Sequence, residues 1–366
     1  MINGQTNKNI WADREATLKA KVNEQPFSGL LISTTVDEPL AQAVAEVLNT
    51  RIMDAGGIYF GNGEFGAKLA ENIRGQDVVI IGSISRSLSH HSPADALMEI
   101  LILANAAQLA SARSISIVCP YLGYGKADKK KSGRESITMT MVASMLEMNS
   151  RVCRISVVDL HALQIQGFFK KIPCDALTAQ YYIFDLLRHL GYHKRKTVFV
   201  TPDAGGFARA DKAGQSFLRR SSSLVVVHKE RVNPQSSEVV MITGNYQGKV
   251  CVIWDDMAQT GSTFINAADA LIKGGAKEVI VCVTHPDFTH KAGFIDEGQV
   301  DRSIEDFMRR LEQSAVHKLI VTDTIPIARH PRVQESEKVL VVPIHTLIAE
   351  AIWTNHTNGS LSATFH

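Results

Sequence analysis

The chain has 366 residues, 45% of them hydrophobic, which is generous for one domain and comfortable for two with substantial cores. Its net charge of +2 gives no global field for nucleic acid or an anionic membrane, and no apolar run approaches a membrane span or a signal-peptide core. The five cysteines are scattered and never spaced C-x-x-C, which argues against a disulfide framework or structural zinc and for a reducing, cytoplasmic setting.

Residues 1–26 are polar without sustained periodicity and are expected to form a mobile extension with room for a short helix. The first strand is expected at 30–33, followed by Ala41, Val44, Ala45 and Leu48 at helical spacing. The run at 78–81 is short, β-branched and apolar, as in a strand buried on both faces. A helix is expected over about 95–111, a strand at 114–118, a helix around 139–148 and a strand at 155–158. Between 123 and 134 lies a glycine-rich loop with five cations against one acid. It has too few aromatics to stack bases and no Walker spacing, so its chemistry suits a nucleotide phosphate outside the P-loop manner. Asp159-Leu160-His161 ends the next strand. A lone histidine there is ordinarily structural.

The second half repeats the theme, with strands expected at 197–200, 224–227, 250–253, 279–283, 319–321 and 339–342. Strands alternating with helices imply parallel sheets with helices on both faces, split near residue 170. The expected domains are 27–170 and 171–344, with a final helix at 345–353 packing back onto the first half. Residues 290–316 are charged, with Ile304, Phe307, Met308 and Leu311 at helical spacing, and read as a surface insertion.

Three strand ends in this half carry chemistry. Thr201-Pro202-Asp203-Ala204-Gly205-Gly206 places an acid where open α/β sheets bind ligands, and the glycines permit close backbone approach. The plainer reading is a helix N-cap aspartate. Together with Asp203, a hard carboxylate, His161 can help position a Mg²⁺ held mainly by substrate phosphates. His228-Lys229-Glu230-Arg231 precedes a polar loop at 232–237, which suits a lid closing over polyphosphate charge; solvated lysine and arginine are the plainer alternative. Val252-Ile253-Trp254-Asp255-Asp256-Met257-Ala258-Gln259-Thr260-Gly261-Ser262-Thr263 is the most specific. A strand ends in two carboxylates, and a hydroxyl- and glycine-rich loop leads into a helix at 264–272. That loop can offer N–H and hydroxyl donors to a phosphate, while the carboxylates accept from sugar hydroxyls. A phosphate cradle beside a diol clamp points to a ribose phosphate.

Together these segments closely resemble the ribose-phosphate pyrophosphokinase family over nearly the whole chain from Phe27. The resemblance rests on D-L-H-A-x-Q-I-Q-G-F-F at 159–169, P-D-A-G-G at 202–206, H-K-E-R at 228–231 and the acidic loop at 255. It implies an α/β fold of two type I phosphoribosyltransferase-like domains, each a mainly parallel sheet flanked by helices, assembling as dimers into hexamers. By position it implies that Asp255 and Asp256 hold the ribose hydroxyls, and that Gln259, Thr260, Gly261, Ser262 and Thr263 surround the 5-phosphate. It further implies His161 and Asp203 as Mg²⁺ residues, with Lys229 and Arg231 as catalytic cations. Phe60, Asn62, Glu64, Lys126 and His161 are the implied ATP residues, the first three reaching a neighbouring subunit's adenine. The implied reaction transfers the β,γ-diphosphoryl group of ATP to the C1 hydroxyl of ribose 5-phosphate.

Three departures stand out. The family's Arg-Gln is Lys126-Ala127 here, and lysine lacks arginine's bidentate fork. The usual aspartate at 259 is Gln259, and the acid expected near Lys131 is absent. Arg74 matches a regulatory-site arginine, but Asn72 replaces the usual serine beside it. The alternatives are a non-catalytic regulatory subunit, favoured by the altered ATP loop, and a phosphoribosyltransferase that consumes the product, disfavoured by the duplicated domain.

Overall fold

The computed structural model describes residues 10–55, 57–88, 92–130, 132–194, 196–202, 204–219, 224–230, 239–289 and 299–364. The chain divides into two compact units. The first comprises Ala12–Ala179, Thr324–Pro326 and Pro343–His366, and the second Gln180–Asp323 and Ile327–Val342 together with Trp11.

The first unit opens with helix α1 (Ala12–Glu24), strand β1 (Leu30–Ser33) and helix α2 (Glu38–Val47). A two-stranded hairpin follows, β2 (Ile58–Tyr59) and β3 (Phe65–Gly66), then β4 (Asp77–Ile81) and α3 (Pro93–Leu109). The unit continues with β5 (Ser114–Cys119), α4 (Thr138–Leu146), β6 (Val152–Val158) and β7 (Cys174–Leu177). Its sheet runs β1-β4-β5-β6-β7, parallel throughout. Helix α3 starts where the sequence supplies a reciprocal cap. The Ser92 hydroxyl accepts from the Asp95 N–H at 3.2 Å, and the Ser92 N–H donates to the Asp95 carboxylate at 2.8 Å, with Pro93 next. One apolar cluster joins Leu97, Ile100 and Leu103 of α3 and Met139, Val142 and Leu146 of α4 to Ile80, Ile117 and Ile155 of the sheet.

Two expectations change here. The N-terminal stretch is not a mobile extension over 12–24: Leu18 and Val22 are buried and α1 packs beside the closing helix, His345–His356. The Trp353 indole N–H donates to the Gln25 carbonyl at 2.9 Å, and His345 meets Glu15 at 3.3 Å. Only a narrow apolar stripe of α1 is covered, so its periodicity is weak in a polar sequence. The passage to the second unit falls at 179/180 rather than near 170, because β7 adds a fifth strand to the first sheet. That strand carries an aspartate and one alanine between its apolar ends, and β6 rather than local pattern holds it in place.

The second unit contains α5 (Gln180–His189), β8 (Thr197–Thr201), α6 (Phe207–Leu218), β9 (Val225–Glu230) and β10 (Val239–Thr243). There follow β11 (Val250–Ala258), α7 (Ser262–Lys273), β12 (Glu278–Pro286), α8 (Gln299–Gln313), β13 (Lys318–Thr322) and β14 (Val339–Val342). The order is β10-β9-β8-β11-β12-β13-β14, parallel except for the β9–β10 edge pair. From β8 the chain steps outward one way to β9 and β10, then returns past β8 to β11 and proceeds the other way. The strand order therefore reverses between β8 and β11, the position where open α/β sheets leave a crevice at their carboxyl ends.

Helix α8 overturns the surface-insertion reading over its own length. Ile304, Phe307, Met308 and Leu311 are fully buried, so its apolar stripe is part of the core. Residues 290–298 lie outside the described residues. A ring cluster of Phe184, Phe199, Phe217 and Trp254 fills the interface of α5, α6, β8 and β11. All five cysteines are free, and all but Cys153 are buried. No described helix is long and apolar enough to cross a membrane.

Candidate active site

Strand β11 pairs with β8 only from Val250 to Ile253, yet continues beside β12 as far as Ala258. The strand expected at 250–253 runs five residues further, carrying both carboxylates with it. Asp255 and Asp256 thus sit on a strand that overhangs β8 at the reversal point, held on one side only. Asp256 is buried, and the Asp255 side chain is about one-fifth exposed.

A residue not singled out from sequence completes this pair. Arg209, in the first turn of α6, donates from Nη1 to Asp255 Oδ1 at 3.0 Å and to Asp256 Oδ1 at 2.7 Å. Helix α6 follows the β8 loop and packs on β8 and β11, so its N-terminal turn stands over the overhang. The only sequence signal was position: an arginine three residues past the Gly205-Gly206 pair. The Asp256 N–H also donates to Asp255 Oδ1 at 2.9 Å. Burial, and then the neighbouring Asp256 carboxylate, push the Asp255 carboxyl well above the usual carboxylate range, with Arg209 opposing them.

The expected phosphate loop continues from this strand. Gly261 adopts a left-handed φ of +71° and caps α7, whose first residue is Ser262. The Ser262 N–H and hydroxyl turn toward the Thr260 hydroxyl, at 3.4 and 3.2 Å. A side chain at Gly261 has no room: its Cβ would lie 2.6 Å from Phe307 Cε2 and 3.1 Å from Phe264 Cζ. Phe307, from α8, is itself stacked on Phe288 with centroids 4.0 Å apart. Gln259 donates from Nε2 to the buried Asp287 carboxylate at 3.0 Å, while the N–H groups of Asp287 and Phe288 donate to the Ala258 carbonyl. The loop after β12 therefore braces the junction between the carboxylates and the phosphate loop. Asp255, Asp256, Gln259, Thr260, Gly261, Ser262 and Thr263 form one continuous ledge.

Lys229 lies on β9 opposite Val240. Arg231, with the 232–237 loop, and Asp203 fall outside the described residues. No group of three or more His, Cys, Asp or Glu side chains able to hold a metal occurs among the described residues. A Mg²⁺ held mainly by substrate phosphates needs no protein cage, and one imidazole or carboxylate suits it.

In the first unit the parallel sheet sends the ends of β5 and β6, neighbours in the sheet, to one edge. The short helical turn Gly125–Ala127, which carries exposed Lys126, packs against α4 and lies beside the segment following β6. A Cβ on Gly125 would lie 3.3 Å from His161 Cβ, so Lys126 and His161 belong to adjoining loops. The Gln164 side chain donates to buried Asp128 at 2.9 Å and ties the two loops together. Tyr124 and Asp159 hold left-handed φ values of 64° and 40° at this edge. Such strain persists only where surrounding contacts fix it. Phe60, Asn62 and Glu64 share the tip of the β2–β3 hairpin, where the Glu64 N–H donates to Asn62 Oδ1 at 3.2 Å and Phe60 is half-exposed. Arg74 is exposed and its N–H donates to Asn72 Oδ1 at 3.1 Å.

A parallel sheet with a hydroxyl loop and an acidic pair at its reversal point defines a phosphoribosyl transferase domain, and the model of that domain matches residues 175–307. The model of the N-terminal domain of ribose phosphate pyrophosphokinase matches residues 30–149. The ribose-phosphate pyrophosphokinase of Listeria ivanovii is 35% identical over 337 residues, covering 92% of this chain and 96% of its own. Ribose-phosphate pyrophosphokinase 1 of Streptococcus pyogenes is 37% identical over 335 residues, covering 92% and 97%. The crystal structure of phosphoribosylpyrophosphate synthetase from Mycobacterium smegmatis superposes with a TM-score of 0.77 at 30% identity, over 90% of this chain and 99% of that one. The chain belongs to the ribose-phosphate pyrophosphokinase family.

Proposed function

We propose that this chain transfers the β,γ-diphosphoryl group of ATP to ribose 5-phosphate, releasing AMP and phosphoribosyl pyrophosphate. The observation that carries this is the ledge on β11: two carboxylates, a left-handed glycine and a hydroxyl loop at a helix N-terminus. The carboxylates of Asp255 and Asp256 accept from the ribose 2- and 3-hydroxyls, and Thr260 to Thr263 receive the 5-phosphate on N–H and hydroxyl donors. Gln259 adds no charge beside that dianion.

The ribose C1 oxygen attacks the β-phosphorus, the bond from that phosphorus to the α,β-bridging oxygen breaks, and the C1 hydroxyl proton is lost. Negative charge gathers on the β-phosphate and the departing AMP. Lys229 and Arg231 offset that charge, which for phosphoryl chemistry is where most stabilisation acts. Bound Mg²⁺ would supply further charge neutralisation at the phosphates, and the family resemblance offers His161 and Asp203 as its donors. Lys126 contributes a point charge to the nucleotide phosphates, and Phe60, Asn62 and Glu64, together at one exposed hairpin tip, would reach the adenine of a neighbouring copy in a homo-oligomer.

A regulatory, non-catalytic role is the second reading, and Lys126-Ala127 favours it. Purified protein incubated with ribose 5-phosphate, Mg²⁺ and ATP should yield AMP and phosphoribosyl pyrophosphate in equal amounts. No product under varied phosphate and nucleotide would overturn the enzymatic reading and leave the regulatory one.

A further inference from the structure

We infer that Arg209 is a positioning residue that sets the selectivity of this site for a ribose with both its 2- and 3-hydroxyls. The inference rests on the reading of Asp255 and Asp256 as the diol acceptors.

A cis-diol presents two hydroxyl donors side by side, so it needs two acceptors held side by side. Adjacent residues on a strand normally point to opposite faces. Asp255 and Asp256 escape that rule only at the overhang, where β8 no longer pairs and one nitrogen of Arg209 gathers an oxygen from each carboxylate, at 3.0 and 2.7 Å. The guanidinium holds Oδ1 of both groups, so it fixes the rotamer in which each second oxygen is presented. It also opposes the mutual repulsion of two acids in a partly buried place, which otherwise drives the carboxylates apart. A carboxyl that swings away leaves one acceptor for two hydroxyls.

Arg209 comes from α6, the Asp pair from β11, and the Arg209 side chain is 29% exposed. It is therefore packed in place by the helix rather than recruited from solvent. Removing it leaves the phosphate loop, held by the Asp287 and Phe307 braces, as it stands. The loss should fall on the sugar hydroxyls and not on the 5-phosphate.

The test compares ribose 5-phosphate with 2-deoxyribose 5-phosphate as acceptor, in the full-length protein with ATP and Mg²⁺. A hydrogen bond to a charged acceptor governs roughly a 10- to 100-fold preference. Arg209→Ala should raise KM for ribose 5-phosphate and shrink the ratio of kcat/KM between the two sugars by about 10-fold or more. Arg209→Lys, which restores one bridging cation, should recover part of that ratio. Equal losses for both sugars, with the ratio unchanged, would overturn the proposal and make Arg209 a structural residue only. Asp256→Asn separates this failure from failure of the site reading. If Asp256→Asn moves the ratio and Arg209→Ala does not, the diol clamp stands without Arg209; if neither moves it, the clamp itself is misassigned. Direct binding of each sugar phosphate to the same variants, measured by calorimetry without ATP, should show the same ordering.

Discussion

Gly261→Ala tests the phosphate loop where it is least able to adapt. Two effects add at this position. The left-handed φ of +71° disfavours any side chain by about 1–2 kcal/mol. The new Cβ would stand 2.6 Å from Phe307 Cε2 and 3.2 Å from Phe307 Cδ2, and the ring cannot withdraw because it is fully buried and stacked on Phe288. Overpacking of that kind destabilises by about 1–3 kcal/mol. The substitution should therefore lower stability by roughly 2–5 kcal/mol. Urea unfolding followed by fluorescence in a Trp353→Phe background, with Trp254 buried on β11 beside the site, reports on this unit. Most of the steric part can be isolated with Phe307→Leu, which removes the ring atoms at 2.6 and 3.2 Å and leaves only Phe264 Cζ at 3.1 Å. In that background the cost of Gly261→Ala should fall toward the backbone share of about 1–2 kcal/mol, with the milder Phe264 contact added to it. A coupling below about 0.5 kcal/mol would refute the contact as the source of the effect. KM for ribose 5-phosphate should rise in Gly261→Ala and only partly recover in the double variant, since the N–H groups of the turn are displaced in both.

Gln259→Asp sets a second acid against Asp287 and should destabilise the loop by about 1–3 kcal/mol, with Asp287→Asn in the same chain restoring most of it; no recovery in the double variant would remove that hydrogen bond from the argument. Lys229→Ala should abolish turnover while ribose 5-phosphate and ATP still bind, and unchanged turnover would take Lys229 out of the mechanism. Asp255→Asn should stabilise the protein while weakening ribose 5-phosphate binding. The Asp255 pKa is raised on folding, so the native group takes up a proton that the unfolded chain releases. Stability from this group is full at low pH and is lost as pH rises from the ordinary carboxylate range through the raised value. The advantage of Asp255→Asn in thermal melts should accordingly grow with pH, by at most about 1.4 kcal/mol per unit, and then level off. An advantage independent of pH would show that Asp255 is not held in this state.

The parallel strands and the loops at their ends were legible because burial on both faces writes itself as short β-branched runs. Val78 to Ile81, Val198 to Val200 and Val279 to Val283 are such runs, and each appears as a strand. Val239–Thr243 is equally apolar but follows the polar stretch 231–238 and pairs antiparallel at the sheet edge, so it did not fit the strand–helix alternation. Helix α8 was legible as a helix and misjudged as surface, because its charged face dominates the composition while four residues fill the core. The acidic pair, the hydroxyl- and glycine-rich loop after it and the order of the motifs were all visible in chain order.

What sequence alone determined here is chemistry strung along a line: which strands end in acids, hydroxyls, glycines or cations. Tertiary structure decided what those groups face. Arg209 meets Asp256 across 47 positions, and Gln259 meets Asp287 across 28. Phe307 limits Gly261 from a helix that reads as an insertion. Local periodicity records how deeply a residue is buried, not which distant residue buries it. The overhang of β11 past β8 likewise depends on where a neighbouring strand stops, and that is a property of the sheet.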